Sequence, residues 1–113
     1  MAVDVEKLDR ILNNLLSNAL RFTRRDGKVE VAVKLRGDAV EFIVSDDGCG
    51  IPLERQSSIF ELGVTEGGLG YGLAIVQEYA ALLGGSVRVE SAPEQGSRFI
   101  VRLPVRTAQE QLA

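Results

Sequence analysis

Apolar positions recur first at helical spacing and then at strand spacing. Val5, Leu8, Ile11, Leu12, Leu15, Leu16 and Ala19 fall three and four apart, which predicts a helix over residues 5–22 with one apolar face and Asp4 as its N-cap. The polar stretch 23–27 ends in Asp26-Gly27, a turn signal. Residues 28–34 then alternate, with Val29, Val31 and Val33 sharing a face. Arg36-Gly37-Asp38 turns the chain into a second strand over 39–46, with Val40, Phe42 and Val44 inward. These two strands form a hairpin. Seven of the twelve glycines crowd into residues 48–72, around a short helix predicted over 54–60. A longer helix over 71–83 follows, with Leu73, Val76, Ala80 and Leu83 spaced for burial and Gly84-Gly85 as its stop. Alternating strands over 86–91 and 97–103, joined through 93–96, close the pattern. The order helix, hairpin, glycine-rich stretch, helix, hairpin predicts a two-layer α+β sandwich. Helices would pack on one face of a mixed, mainly antiparallel sheet.

Composition narrows the function. At 113 residues the chain is read as one domain, residues 1–113, with a frayed tail over 105–113. A net charge of −3 lacks the basic face that nucleic acids require. No apolar run approaches the roughly 20 residues that span a bilayer, and no signal peptide opens the chain, so no membrane contact by this domain is expected. Cys49, the one cysteine, suits a reducing compartment and is read as a packing residue. The chain has no histidine, which excludes a Ser-His-Asp triad, a His-ligated zinc and self-phosphorylation on histidine.

Three features carry chemistry. Asn14, Asn18 and Arg21 share one stripe along the border of the first helix's apolar face, although Asn competes with the helix backbone. An amide oxygen there can ligate a hard cation such as Mg²⁺, and Arg21 can meet phosphate. The same residues also suit a solvated helix edge. Next, strand parity aims Asp46 toward the core and Asp47 away from it. A buried carboxylate needs a partner, and an amine-bearing heterocycle would supply one, with Gly48 and Gly50 letting backbone approach a flat ligand. A plain turn after a strand is the alternative. Last, Gly67-Gly-Leu-Gly-Tyr-Gly-Leu-Ala-Ile75 runs glycines into a helix start, where free N–H groups favour phosphate oxygens. It is neither a Walker A loop nor a dinucleotide fingerprint, and a flexible hinge would look similar.

In combination and order these features resemble the nucleotide-binding motifs of the superfamily of gyrase, heat-shock ATPases, histidine kinases and MutL, which has the Bergerat fold. Asn14-Leu-Leu-Ser-Asn18-Ala-Leu-Arg21-Phe22-Thr23 resembles its N box, and Asp46-Asp-Gly48-Cys-Gly50-Ile51-Pro52 its G1 box. Ile59-Phe60-Glu61 resembles the F box, and Gly68-Leu-Gly70-Tyr71-Gly72-Leu73-Ala74-Ile75 the G2 box. The closing hairpin runs from Gly84-Gly85 through Gly96-Ser97-Arg98-Phe99 to Leu103-Pro104. Asn rather than Glu at position 14, together with this hairpin, favours the ATP-binding catalytic domain of a sensor histidine kinase. The resemblance covers about residues 4–104.

That resemblance implies ATP and Mg²⁺ as ligands, with Asn14, Asn18 and Arg21 catalytic and Asn18 on the metal. Phe22 would line the base pocket, Asp46 would accept from the adenine amine, and Gly48, Gly50 and Ile51 would pack around the ring. Gly68, Gly70, Tyr71, Gly72 and Leu73 would hold phosphates, and Ser97 would sit near the Asp. It further implies transfer of the γ-phosphoryl group to a histidine on a separate dimerisation domain of the same full-length kinase, and a response regulator downstream. The isolated domain would be monomeric and cytoplasmic, within a full-length protein that can be membrane-anchored. Two departures stand out: only Met1–Val3 precede the first helix, where the family has strand sequence, and Glu66-Gly67 occupy lid positions where Thr-Lys is expected. An anti-sigma-type serine kinase and a non-catalytic nucleotide-responsive module are the competing readings.

Overall fold

The computed structural model describes residues 5–23, 26–56, 59–60 and 72–104. Among them the elements run α1 (Val5–Phe22), β1 (Val29–Arg36), β2 (Ala39–Asp46), α2 (Leu53–Gln56), α3 (Gly72–Leu82), β3 (Ser86–Ser91) and β4 (Ser97–Pro104). The strands form a sheet of order β1-β2-β4-β3 in which every described pairing is antiparallel. The expected two-layer arrangement with a mainly antiparallel sheet is what forms, and among these residues no parallel pair is present. Each hairpin is a pair of neighbouring strands, and because β4 lies between β2 and β3 the connection from β2 to β3, which carries α2 and α3, crosses over β4.

The helices cover one face. Ile11, Leu15 and Ala19 of α1 and Leu73, Val76 and Ala80 of α3 meet Val40 and Val44 of β2 and Phe99, Val101 and Leu103 of β4 in a single core. α3 ends as its glycines predict: Gly84 N–H bonds the Ala81 carbonyl at 3.0 Å and Gly85 N–H the Ala80 carbonyl at 2.8 Å, the reciprocal pair of a Schellman cap. On the opposite face Glu41 is buried, and arginines from three strands converge on it. Arg36 lies at 3.5 Å, Arg102 at 3.6 Å and Arg88 at 3.9 Å. A carboxylate out of water requires such partners.

The structure differs from the sequence expectation at three places. β1 is an edge strand that the helices cover only in part, with Val29 packed on the core, so Val31 and Val33 are 52% and 59% exposed although they share the core-side face with Val44 and Phe42. Val5 opens α1 before it reaches the core and is 75% exposed. α2 stops at Gln56, and Ile59 and Phe60 lie in a turn rather than in the helix expected over 54–60. Asp4 and the tail 105–113 lie outside the described residues.

Candidate functional site

At the end of the sheet where β2 stops and β4 begins, a cavity of about 160 Å³ opens beside α1. Asn18 and Phe22 line it from the last turns of α1, Asp46 from the end of β2 and Ser97 from the start of β4. Cys49, Gly50, Ile51 and Pro52 of the turn after β2 form a third side, with Arg55 of α2 and Ile59 behind them. Pockets for whole drug-sized ligands run to several hundred Å³. This volume and a mostly apolar lining suit a planar base with one polar edge.

Alternation in β2 places Val44 in the core and Asp46 on the same face one pleat further, half-buried at the cavity wall. Its Oδ1 accepts from the Gly48 N–H at 2.8 Å. Burial is the main influence on its acidity and holds the carboxyl above the usual carboxylate range. The Gly48 N–H opposes this, the negative charge of Asp47 adds to it, and the Ser97 N–H opposes it more weakly. Each carboxylate oxygen can accept more than one hydrogen bond, so Asp46 keeps capacity for a donor entering the cavity. Asp47 points away as parity predicts and has a different task. It accepts from the Thr23 hydroxyl at 2.8 Å and the Lys28 N–H at 3.0 Å, fastening the connection after α1 to the end of β2.

The turn carrying Gly50 is held close to the second hairpin. Gly50 has φ +75°, and a Cβ there would lie 1.9 Å from the Ala92 carbonyl oxygen, so backbone meets backbone only because no side chain intervenes. Ile51 N–H donates to the Ser91 hydroxyl at 2.8 Å. The Gln56 side-chain amide donates to the carbonyls of Ile51 at 2.8 Å and Ser91 at 2.9 Å. Phe60 stacks edge-on against Phe99, centroids 6.2 Å apart, seating the end of this segment on the core.

Of the residues singled out from the sequence, Asn18, Phe22, Asp46, Gly50, Ile51 and Ser97 come together at the cavity, and Gly48 binds the Asp46 carboxylate. Asn14 lies one turn before Asn18, does not line the cavity, and donates its side-chain amide to the Arg10 carbonyl at 2.8 Å. Arg21 is exposed in the last turn of α1, also off the cavity lining. Gly68, Gly70 and Tyr71 lie outside the described residues, and Gly72 is the first residue of α3. Leu73 has its side chain in the core, so only its backbone is available to a phosphate. Cys49 is exposed at the cavity mouth rather than packed, a correction to its sequence reading. Sequence reasoning missed Arg55 and Gln56, and it placed Ser91 in the closing hairpin without giving it a role at the site. Nothing local marks the roles of Gln56 and Ser91, since their contacts join residues 35 and 40 positions apart.

Among the described residues no group of three or more His, Cys, Asp or Glu could hold a metal. The single amide of Asn18 still fits Mg²⁺. That ion dehydrates reluctantly and is commonly held by one or two protein oxygens together with substrate phosphates.

Residues 3–107 match the family model described as histidine kinase-, DNA gyrase B-, and HSP90-like ATPase. The alginate biosynthesis sensor protein KinB of Pseudomonas aeruginosa is 39% identical over 109 residues, covering 93% of this chain and 18% of that protein. The circadian input-output histidine kinase CikA of Synechococcus elongatus is 40% identical over 112 residues, covering 92% of this chain and 15% of that protein. The chain thus spans less than a fifth of the length of these relatives. Full-length ShkA, solved in complex with AMPPNP, superposes with a TM-score of 0.83 at 37% identity over 90% of this chain and 22% of that one. The catalytic domain of the histidine kinase ThkA superposes with the same score at 29% identity, over 90% of this chain and 69% of that one.

Proposed function

This chain belongs to the histidine kinase-, DNA gyrase B- and HSP90-like ATPase family, and from that premise we propose that it is the catalytic domain of a sensor histidine kinase. It binds Mg-ATP and donates the γ-phosphoryl group to a histidine on a separate dimerisation domain, in two-component signalling. The observation that carries this reading is the half-buried Asp46 carboxylate at the wall of a base-sized cavity, with Asn18 on the same cavity one element away.

In this reading the adenine amine donates to Asp46, Gly50 and Ile51 pack on the ring, and Phe22 closes the pocket from α1. Asn18 reaches the metal, which when bound neutralises charge on the phosphate oxygens. Arg21, beyond the cavity, meets the phosphate chain, and the 68–73 segment holds the rest of it through backbone N–H groups. Phosphoryl transfer depends chiefly on aligning the acceptor and neutralising charge. The acceptor must come from outside, because the chain has no histidine. Water is a poor substitute: Asn14 is no base, and its side-chain nitrogen is bonded to its own helix. The isolated domain therefore hydrolyses ATP very slowly. The phosphohistidine passes its phosphoryl group to a response regulator. Among the described residues no helix is long and apolar enough to cross a membrane. The reaction needs ATP and takes place on the cytoplasmic side, whether or not the full-length protein is anchored.

The test supplies γ-labelled ATP to this domain with and without the histidine-bearing helical domain of its full-length protein. Label accumulating on the added domain and never on this chain supports the proposal. Intact ATP binding without any transfer would mark a nucleotide-responsive module, consistent with Glu66-Gly67 where a basic lid residue is expected. Turnover by the domain alone at about 1 s⁻¹, within the usual enzyme range, would make it an autonomous ATPase.

A further inference from the structure

The hydroxyl of Ser91 sits behind the cavity and touches three groups. It accepts from the Ile51 N–H at 2.8 Å, lies 2.7 Å from the Gly96 carbonyl oxygen and 2.9 Å from the Ser97 hydroxyl. A serine hydroxyl has one hydrogen and two lone pairs. The Gly96 carbonyl can only accept, so the Ser91 hydrogen goes there. One lone pair is taken by the Ile51 N–H, and the other is left for Ser97, whose hydroxyl must therefore be the donor in the 2.9 Å contact. Ser97 is buried, lines the cavity, and is the cross-strand partner of Asp46. With its only hydrogen committed to Ser91, it turns lone pairs toward the cavity. The Asp46 carboxylate beside it also accepts, and the N–H groups of Gly48 and Ser97 are spent on that carboxylate. The β2–β4 wall of the cavity thus offers acceptors and no donor.

From this wiring we propose that Ser91 is a positioning residue that makes the site selective for a 6-amino purine, by holding the Ser97 hydroxyl hydrogen away from the base. The proposal deepens the nucleotide-binding reading above and rests on it. An exocyclic amine brings hydrogens to an acceptor wall, whereas a 6-keto purine brings oxygen lone pairs against lone pairs, and a buried polar mismatch is costly. Discrimination of this kind comes from leaving the wrong ligand's groups unpaired. Gln56 holds the arrangement together, since its amide bonds both the Ile51 and the Ser91 carbonyls and fixes the turn against the end of β3.

The experiment is a calorimetric titration of this domain with ADP and with inosine diphosphate, in which a keto oxygen replaces the 6-amino group and N1 carries a hydrogen. The unmodified domain takes ADP in preference. In Ser91→Ala the Ser97 hydroxyl is released, can rotate, and can donate to a keto oxygen, so the ADP-to-inosine-diphosphate affinity ratio falls about five- to tenfold. Ser91→Thr keeps a hydroxyl in place and retains the ratio. Should Ser91→Ala not fold, Ser91→Cys carries the same test, because a thiol is a weak acceptor that holds the Ser97 hydrogen poorly. A merely structural Ser91 would weaken both nucleotides in proportion, and an unchanged ratio overturns the inference. Failure of the unmodified domain to bind either nucleotide overturns instead the reading on which it rests.

Discussion

The two hairpins of the sheet each place a glycine in the left-handed region, in turns of different length and very different surroundings. Between β1 and β2, Gly37 has φ +60°, and a Cβ there would meet nothing within 4 Å. Between β3 and β4, Gly96 has φ +79°, and its added Cβ would lie 2.0 Å from the Asp46 carbonyl oxygen. The second turn also holds Glu94 at φ +65°, a conformation that costs a side-chain-bearing residue on the order of 1–2 kcal/mol. A 2.7 Å bond from the Glu94 N–H to the Cys49 carbonyl helps to keep it there. Strain persists where the surroundings over-determine it, and here the surroundings are the turn after β2 that lines the cavity. One turn only reverses the chain. The other is part of the wall that presents Asp46 and Ser97.

That contrast can be broken by substitution, starting with the largest effect. Gly96→Ala adds left-handed strain to a backbone collision and should cost at least about 3 kcal/mol in denaturant unfolding, with ADP binding lost. Gly37→Ala meets only the strain and should cost about 1 kcal/mol, with ADP affinity unchanged. Equal costs at the two glycines would mean that the second turn is not tied to the site.

Asn18→Ala sharpens the picture within the site. If the amide oxygen serves the cation and not the base, as proposed, the substitution should weaken Mg-ATP binding much more than metal-free adenosine binding. The same fold-loss for both ligands in parallel titrations would remove Asn18 from the metal. A smaller effect is expected at Asp47→Ala, which releases Thr23 and the Lys28 N–H. It should lower stability by about 1–2 kcal/mol while leaving ADP affinity nearly unchanged.

The elements closest to the core were legible in the sequence. α1 spans residues 5–22 as its three-and-four spacing required, and β2 runs from 39 to 46 with Asp46 on the parity that aims it at the cavity. What alternation does not report is cover. Val31 and Val33 alternate as well as Val40 and Val44 do, yet β1 is an edge strand and stays exposed. The same limit explains Leu73, which stands beside the glycines in sequence but packs inward because helix geometry turns it to the core. Asn18 and Asp46 were singled out because an unusual residue type marks the one and strand parity the other, whereas Ser97 came only from the resemblance to the family's closing hairpin. The roles of Gln56 and Ser91 carry no such mark, although Ser91 falls within the closing hairpin: they arise from contacts between segments far apart in the chain, which no local period encodes.

Asp46 bears the account most directly, and its acidity supplies a sign. Its carboxyl titrates higher in the folded chain than in the unfolded one, chiefly because it is buried. The unfolded state therefore gives up this proton first, and stability is lost as pH rises through the window between the ordinary carboxylate pKa and the raised one. Asp46→Asn should relieve that penalty and raise the ligand-free melting temperature at neutral pH. Binding has the opposite dependence, because the ionised form is the acceptor, so ADP affinity should weaken as pH falls through the raised pKa. The decisive measurement is a calorimetric titration of ADP into Asp46→Asn and Asp47→Asn at neutral pH. The account predicts a loss of about 1–3 kcal/mol, roughly 5- to 150-fold in affinity, at Asp46 and almost none at Asp47. Equal losses at the two positions, or a loss at Asp47 alone, would contradict it.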